Sequence, residues 1–575
     1  MADKIFRVNL KNLSTAVEDV PDQWAGLGGR GLTSAIVAAE VVPTCHPLGP
    51  NNKLVFAPGL LSGTPAASSG RLSCGSKSPL TGTIKETNAG GTAAQMLARM
   101  GCKALIIEGL PKGDSWYSLL LTPDGVTINE EAELIGQGNF SVVETLARRM
   151  GEKTGVTTIG RAGEMKMCTA NISIKDPDGK LRSCGRGGLG AVMGSKRIKC
   201  IVLDPQDGKV QIADKDKFKE VNRIFTKSLV NNPICQALGD YGTNVLTNII
   251  NEAGALPTRN FREGQFAGHD QVSGETMADM IKKRGGRTKH NCHKGCVIQC
   301  SQIFNDASGK YKTSGFEYES IWALGPDCGV DNLDLIAEAD HLMDDIGIDT
   351  IETAVAIGVA MEGGLLEFGD AAGIVRIIRD EIGKGTGLGR LFGAGAATVG
   401  RAFGVSRVPV VKNQAIPAYD PRAVKGIGIT YATSTQGADH TMGYTITANI
   451  LNVGGSVDPL GKEGQVELSR NLQIATAAID STGMCLFIAF AALDDETCLP
   501  ALVDMMNARF GTELTGDDVT ALGESILKTE HDFNLAAGFT NKDDRLPEFF
   551  SLEPLPPHHT VWDFTDEEID AFWDF

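Results

Sequence analysis

The sequence predicts an α+β protein, with a β-rich N-terminal base domain followed by two mainly helical domains. Three observations predict it. Residues 1–207 alternate short β-type runs with glycine-rich turns. From about residue 210 the texture changes to amphipathic helices with recognisable caps. Near residues 407–418, the segment VPVVKNQAIPAYDP breaks the helical pattern with three prolines and marks a boundary between a second domain, 208–410, and a third, 411–575. At 575 residues the chain has room for roughly three to four domains of ~150 residues each.

Composition narrows the function. Hydrophobic residues make up 42% and charged residues 22%, which fits large buried cores. The first thirty residues carry Asp3, Lys4, Arg7, Lys11 and Glu18 and leave no apolar stretch for a signal peptide. Nowhere is there a run of ~18 apolar residues, so no membrane span is expected. Thirteen cysteines without an export signal read as reduced thiols in the cytoplasm, available to metals. A net charge of −17 argues against nucleic acid as a partner. It also means that an acidic electron-carrier protein would need a local basic patch, or an intermediary subunit, to dock.

In chain order, strands are expected at KIFRVNL (4–10), KLVFAPG (53–59), ALIIEG (104–109), YSLLLT (117–122), VTTIG (156–160), CTANISI (168–174) and KCIVLD (199–204). Three loops among them have chemical character. Ser69-Gly70-Arg71 precedes a strand, Thr87-Asn88-Ala89-Gly90-Gly91 precedes AAQMLARMG, and Cys184-Gly185-Arg186-Gly187-Gly188-Leu189-Gly190 precedes AVMGSKRIK. Glycines leading into a helix N-terminus beside an arginine can cradle a phosphate. Any one of them is an ordinary tight turn; three in one β domain point to a large phosphorylated cofactor. No G-x-G-x-x-G of dinucleotide type follows a first strand, so nicotinamide binding is not supported. Helices are expected over 215–231, 275–284, 331–345, 350–362, 371–382, 464–480, 496–509 and 516–532.

One helical motif occurs twice. Asp344-Asp-Ile-Gly347-Ile-Asp349 and Asp480-Ser-Thr-Gly483-Met-Cys485 both read D-x-x-G-x-[D/C] at the end of an amphipathic helix. The glycine stops the helix, and the freed backbone and carboxylate can hydrogen-bond a flat heterocycle. The remaining signal is NCHKGCVIQC, which spaces Cys292, Cys296 and Cys300 at four-residue intervals. Spacing alone fits an iron–sulfur cluster or a zinc site using His290 or His293 equally well. Cys485, inside the second D-x-x-G copy, offers a fourth thiol.

Taken together, GLGGRGLTSAIV, SSGRLSCGSKSPLTG, TNAGG, GRGGLGAVMGSK, the cysteine triplet, FEYESIWALG, DDIGID, GADHTMG and DSTGMC resemble the tungsten-dependent aldehyde:ferredoxin oxidoreductase family over nearly the whole length. The resemblance implies a tungsten bis-pyranopterin at the junction of the three domains, with molybdenum the lesser alternative, Mg²⁺ bridging the pterin phosphates, and a [4Fe–4S] cluster. By motif, Arg71, Asn88, Gly90, Arg186, Gly187 and Leu189 resemble the base-domain cofactor contacts. Asp344, Ile348, Asp349 and Leu486 resemble those of the helical domains. Cys292, Cys296, Cys300 and Cys485 resemble the cluster ligands. Two departures stand out: the triplet is C-x3-C-x3-C where many aldehyde-oxidising members have C-x2-C-x3-C, and Glu338 fits a bridging-iron glutamate although no histidine lies between His341 and His440.

The activity so implied is oxidation of an aldehyde to a carboxylic acid, with electrons passing through the cluster to ferredoxin or a dedicated iron–sulfur subunit, in an oligomer. The catalytic candidates are Glu319 as base toward water and His440 as donor to the carbonyl oxygen. Glu317 and Glu319 are read on one face of a strand and are not separable by chemistry; Glu319 is favoured. The alternatives are an acyl-CoA substrate, as in the branch with the benzoyl-CoA reductase tungsten subunit, and a non-catalytic electron-transfer scaffold.

Overall fold

The computed structural model describes residues 3–575. Its N-terminal part rests on two six-stranded sheets. The first contains β1 (Lys4–Asn9), β2 (Ser14–Asp19), β3 (Leu54–Pro58), β4 (Leu72–Lys77), β5 (Ile84–Ala89) and β6 (Cys102–Glu108), in the order β2-β1-β6-β3-β4-β5. The second contains β7 (Tyr117–Thr122), β8 (Gly125–Glu130), β9 (Gly155–Thr158), β10 (Ile172–Lys175), β11 (Leu181–Cys184) and β12 (Ile198–Leu203), in the order β11-β10-β9-β12-β7-β8. Only β1–β6 and β12–β7 pair in parallel.

The sheets face each other. Phe6, Phe56, Leu105 and Ile107 of the first share a core with Leu119, Leu121, Ile174 and Ile201 of the second. Each also carries a helix on its outer face: Gly29–Glu40 presses Ile36 and Val37 on Ile5, Val55 and Ile106, and Asn139–Met150 presses Val142 and Leu146 on Val156 and Val202. Sheets covered on both sides explain the unbroken apolar run Ala104–Ile107 within β6. Each fully buried Leu or Ile here contributes about 1.5–3 kcal/mol.

The expected strand at 168–174 is shorter than its sequence pattern. Only Ile172–Lys175 joins the sheet, because Thr169 and Asn171 turn their backbone toward Gly393 and Gly347 of the helical part. Two edge strands, β2 and β8, were not expected: neither has a buried residue, and β8 offers the core only the half-buried Val126 and Ile128.

The helical part agrees closely with its periodicity. Lys215–Asn231 and Thr350–Glu362 have the expected bounds. Residues 371–382 form an α-helix, Ala371–Arg376, that widens into a π turn, Ile377–Ile382. Leu333–Ile346 and Gln465–Thr482 both stop at a left-handed glycine, Gly347 (φ 76°) and Gly483 (φ 82°). FEYES is a helix start rather than a strand: Glu317 is the N-cap of Tyr318–Leu324. A buried ion pair fastens the two ends of the chain. Arg30 donates to Glu530 at 2.9 and 2.8 Å, and Ser34, Thr435 and Gln436 also donate to that carboxylate.

Candidate active site

The register of β4 on β5, with Leu72 opposite Ala89 and Ser73 opposite Asn88, sets Arg71 beside Asn88. Arg71 Nε donates to Asn88 Oδ1 at 2.7 Å, and the Arg71 amide donates to the Gly483 carbonyl at 3.0 Å. Thus the first glycine loop meets the end of the second D-x-x-G helix. Asn88 Nδ2 in turn donates to Asp480 Oδ1 at 3.3 Å.

The third cradle reaches the first D-x-x-G copy. Arg186 donates to the carbonyls of Ala438 (2.8 Å) and Ala415 (2.7 Å) and approaches Asp349 Oδ2 at 3.4 Å. Asp349 uses its other oxygen to cap the helix Thr350–Glu362, accepting from the amides of Ile351 and Glu352. One carboxylate therefore serves the helix dipole and the arginine together. Asn171, just before β10, and Asn139, the first residue of the helix Asn139–Met150, donate to the carbonyls of Ile348 and Asp344, so the base domain holds this helix end.

These groups surround one cavity of about 370 Å³. Arg71, Asn88, Gly90, Arg186, Asp344, Ile348, Asp349, Leu486, Glu319, His440, Cys292, Cys300 and Cys485 all line it. Gly187, Leu189 and Cys296 stand behind the wall. Leu189 is fully buried in the base core, the Gly187 carbonyl accepts from Ser78 Oγ at 2.7 Å, and Cys296 is buried beside Cys292.

The ligand atoms of Cys292, His293 and Cys296 lie within 4.8 Å of one another, with His293 Nδ1 3.2 Å from Cys292 Sγ. The TNAGG loop packs on this group. The Gly91 amide donates to the Cys292 carbonyl, and a Cβ at Gly90 would come within 2.9 Å of Cys292 Sγ, so only glycine permits the approach. Ser68 connects the two cysteine segments: it donates to the Gly295 carbonyl and accepts from the Cys485 amide. Arg71 faces Cys485 and Cys292, and this partly offsets the burial that pushes the Cys485 thiol up. His290 is engaged elsewhere, by Arg182 and Asp178.

At the other end, Glu319 Oε1 lies 3.3 Å from His440 Nε2, while Glu319 Oε2 accepts from the Ala418 amide at 3.1 Å. Glu317 instead accepts from Thr243 Oγ1 at 2.7 Å, so the helix start separates the two glutamates. Burial pushes Glu319 up to about 8, against the Ala418 amide and Arg186, and pushes His440 down to about 4, against Asp439. Asp439 stays low despite its burial because Lys85 and Arg186 face it. Both members of the Glu319–His440 pair are therefore neutral at pH 7.

The two models of aldehyde ferredoxin oxidoreductase match residues 5–205 (N-terminal domain) and 220–574 (domains 2 and 3). The chain belongs to the aldehyde ferredoxin oxidoreductase family. It is 36% identical to the tungsten-containing aldehyde ferredoxin oxidoreductases of Pyrococcus furiosus and Thermococcus kodakarensis, over 96% of this chain and 92% of each relative. It is 25% identical to the P. furiosus aliphatic sulfonate oxidoreductase, WOR-like subunit, over 92% of this chain and 85% of that one. Its fold matches the active site complex BamBC of benzoyl coenzyme A reductase with TM-score 0.81 at 17% identity, covering 99% of this chain and 93% of that one.

For a family with tungsten-containing members, the cavity's donor set fits a large polar cofactor. Glu86 Oε1, Glu319 Oε1 and His440 Nδ1 border it, are buried, and lack hydrogen-bond partners within the protein. Sequence reasoning missed Glu86, Arg182, Asp340, Tyr419 and Tyr444, which also line it. Glu86 had a usable signal, since it sits two residues before Asn88 on one strand face. The tyrosines had none, lying in irregular segments.

Proposed function

We propose that this chain oxidises an aldehyde to a carboxylic acid, with water as oxygen donor and ferredoxin or a partner iron–sulfur protein as electron acceptor. The supporting observation is the Glu319–His440 contact at one end of a cavity that both D-x-x-G motifs and the cysteine segments border. A tungsten bis-pterin bound there would supply the two-electron redox step. Arg71, Asn88, Gly90 and Arg186 would hold it from the base side, backed by Gly187 and Leu189 behind the wall, with Mg²⁺ as a counter-ion to its phosphates. Asp344, Ile348, Asp349 and Leu486 would hold it from the helical side. Cys292, Cys296, Cys300 and Cys485 would hold a [4Fe–4S] cluster.

The protein's own part is proton handling. With both groups neutral, a hydroxyl on Glu319 Oε1, which has no other partner and lies 3.3 Å from His440 Nε2, would turn toward that nitrogen and leave the ring proton on Nδ1. That N–H is the donor for a carbonyl oxygen. Moving the shared proton onto Nε2 makes Glu319 a carboxylate base toward water while Nδ1–H is retained. The ionised Asp439, 3.7 Å from Nδ1, favours the imidazolium so formed. Aldehyde and water then give the acid, two protons and two electrons. The buried tyrosines Tyr318, Tyr419 and Tyr444 wall this end and limit bulk water.

Anaerobically purified protein should contain iron and tungsten in a ratio of about four to one. It should also reduce a viologen dye with at least one member of an aldehyde panel. Zinc with negligible iron in protein that turns over would overturn the cluster, and a silent panel would overturn the aldehyde.

A further inference from the structure

Lys85, on β5, is 1% exposed and stands behind the cavity wall. A buried ammonium is costly unless an opposite charge meets it. Its single salt bridge among the described residues is to Asp439 Oδ2, at 3.5 Å. Gly187 makes room for the stem: a Cβ there would lie 2.6 Å from Lys85 Cγ. The loop that presents Arg186 to the cavity therefore also lets a lysine pass behind it.

Asp439 is engaged on both oxygens. Oδ2 faces Lys85, while Oδ1 accepts from the Thr441 amide at 3.1 Å and the Thr441 hydroxyl at 2.8 Å. His440 Nδ1 lies 3.7 Å from Oδ1, beyond hydrogen-bond reach, and has no partner. A buried N–H beside an ionised carboxylate normally closes such a gap, because charge-assisted hydrogen bonds are strong. The other charges here are committed elsewhere. Arg186 donates to the Ala415 and Ala438 carbonyls and leans toward Asp349 and Glu352. Glu319 is held by the Ala418 amide and His440 Nε2. Glu86 and Arg30 are the remaining charges that act on Lys85.

We propose that Lys85 is a positioning residue: by pinning Asp439 it keeps that carboxylate from capturing the His440 Nδ1 proton, and so leaves the N–H free to donate to substrate. The role rests on the donor function proposed for His440. Without the ammonium, Arg186 and Thr441 still keep Asp439 ionised, and the released carboxylate can swing onto Nδ1. The ring would then hold its proton more tightly and turn its donor away from the cavity.

The test is the titration of His440 in the full chain by ¹⁵N-histidine spectra, with His440→Ala to assign the signal, beside aldehyde turnover of the holoenzyme. In the parent, burial should hold His440 at about 4. Lys85→Met should raise it by about one pH unit or more and lower kcat at least about tenfold, with KM little changed. Lys85→Gln, which keeps a donor for Asp439 and is gentler on folding, should fall between. Adding Asp439→Ala to Lys85→Met should abolish the rise, and in that background the lysine change should cost no further rate. A His440 titration unmoved in both single Lys85 variants would overturn the proposal, as would an equal rise with Asp439→Ala present. A rise in a protein that oxidises no aldehyde would support the restraint on Asp439 and overturn the aldehyde reading alone.

Discussion

Glu319 and His440 face each other across 3.3 Å, and their proton balance governs two expected outcomes. Proton transfer by a placed side chain is worth about 10²–10⁴-fold in rate. Glu319→Gln and His440→Ala should therefore lower aldehyde-dependent dye reduction by at least about two orders of magnitude, with metal content unchanged by elemental analysis. The second outcome concerns stability. Burial raises Glu319 from 4.5 to about 8, and burial together with the Asp480 carboxylate raises Glu86 equally. The folded state then binds more protons than the unfolded state between those values, so stability falls as pH rises from about 4.5 to 8. Urea midpoints across that range should decline in the metal-free protein and flatten in Glu86→Gln/Glu319→Gln. The motif GADHTMG made His440 legible as a candidate. Residue chemistry alone does not separate Glu317 from Glu319, although the sequence reading favours Glu319, because a helix N-cap and a strand look alike over three residues.

The helix ends show what an element must give up to build this cavity. Gly483 ends Gln465–Thr482 in the left-handed region and packs against Gly59, where any Cβ would overlap the Gly483 backbone. The Leu60 and Leu61 amides donate to the carbonyls of Ser481 and Thr482 across this contact. Gly59→Ala should push that helix end away and carry Cys485 with it. We expect a loss of bound iron and about 1–3 kcal/mol of stability, read from metal analysis and urea unfolding. Both D-x-x-G stops were legible because a glycine after a periodic helix leaves a clear trace. The edge strands β2 and β8 were not, since neither has a buried residue and their pairing is set by β1 and β7 respectively rather than by their own pattern. The meeting of Gly59 with Gly483 was equally invisible, as it joins segments more than 400 residues apart.

Across the whole molecule, the fold class followed from texture, while the closure of its parts depended on groups without local signals. Arg30 and Glu530 are both fully buried, and the pair links the helix Gly29–Glu40 to the helix Gly516–Ala537. Removing one partner strands the other charge, which costs about 3–5 kcal/mol. Arg30→Met should lower the urea midpoint accordingly, and Arg30→Met/Glu530→Leu should recover part of the loss. The same closure bears on how long a cofactor would stay. Its walls come from residues 71 to 487, and the clasp between residues 30 and 530 keeps them together. A large molecule held between them leaves only when the walls part, and parting them is most of what unfolding is. Cofactor release should then show the urea dependence of the unfolding rate, and Arg30→Met should hasten both alike. Residence would be a kinetic property, set by the barrier to opening rather than by the strength of any single contact.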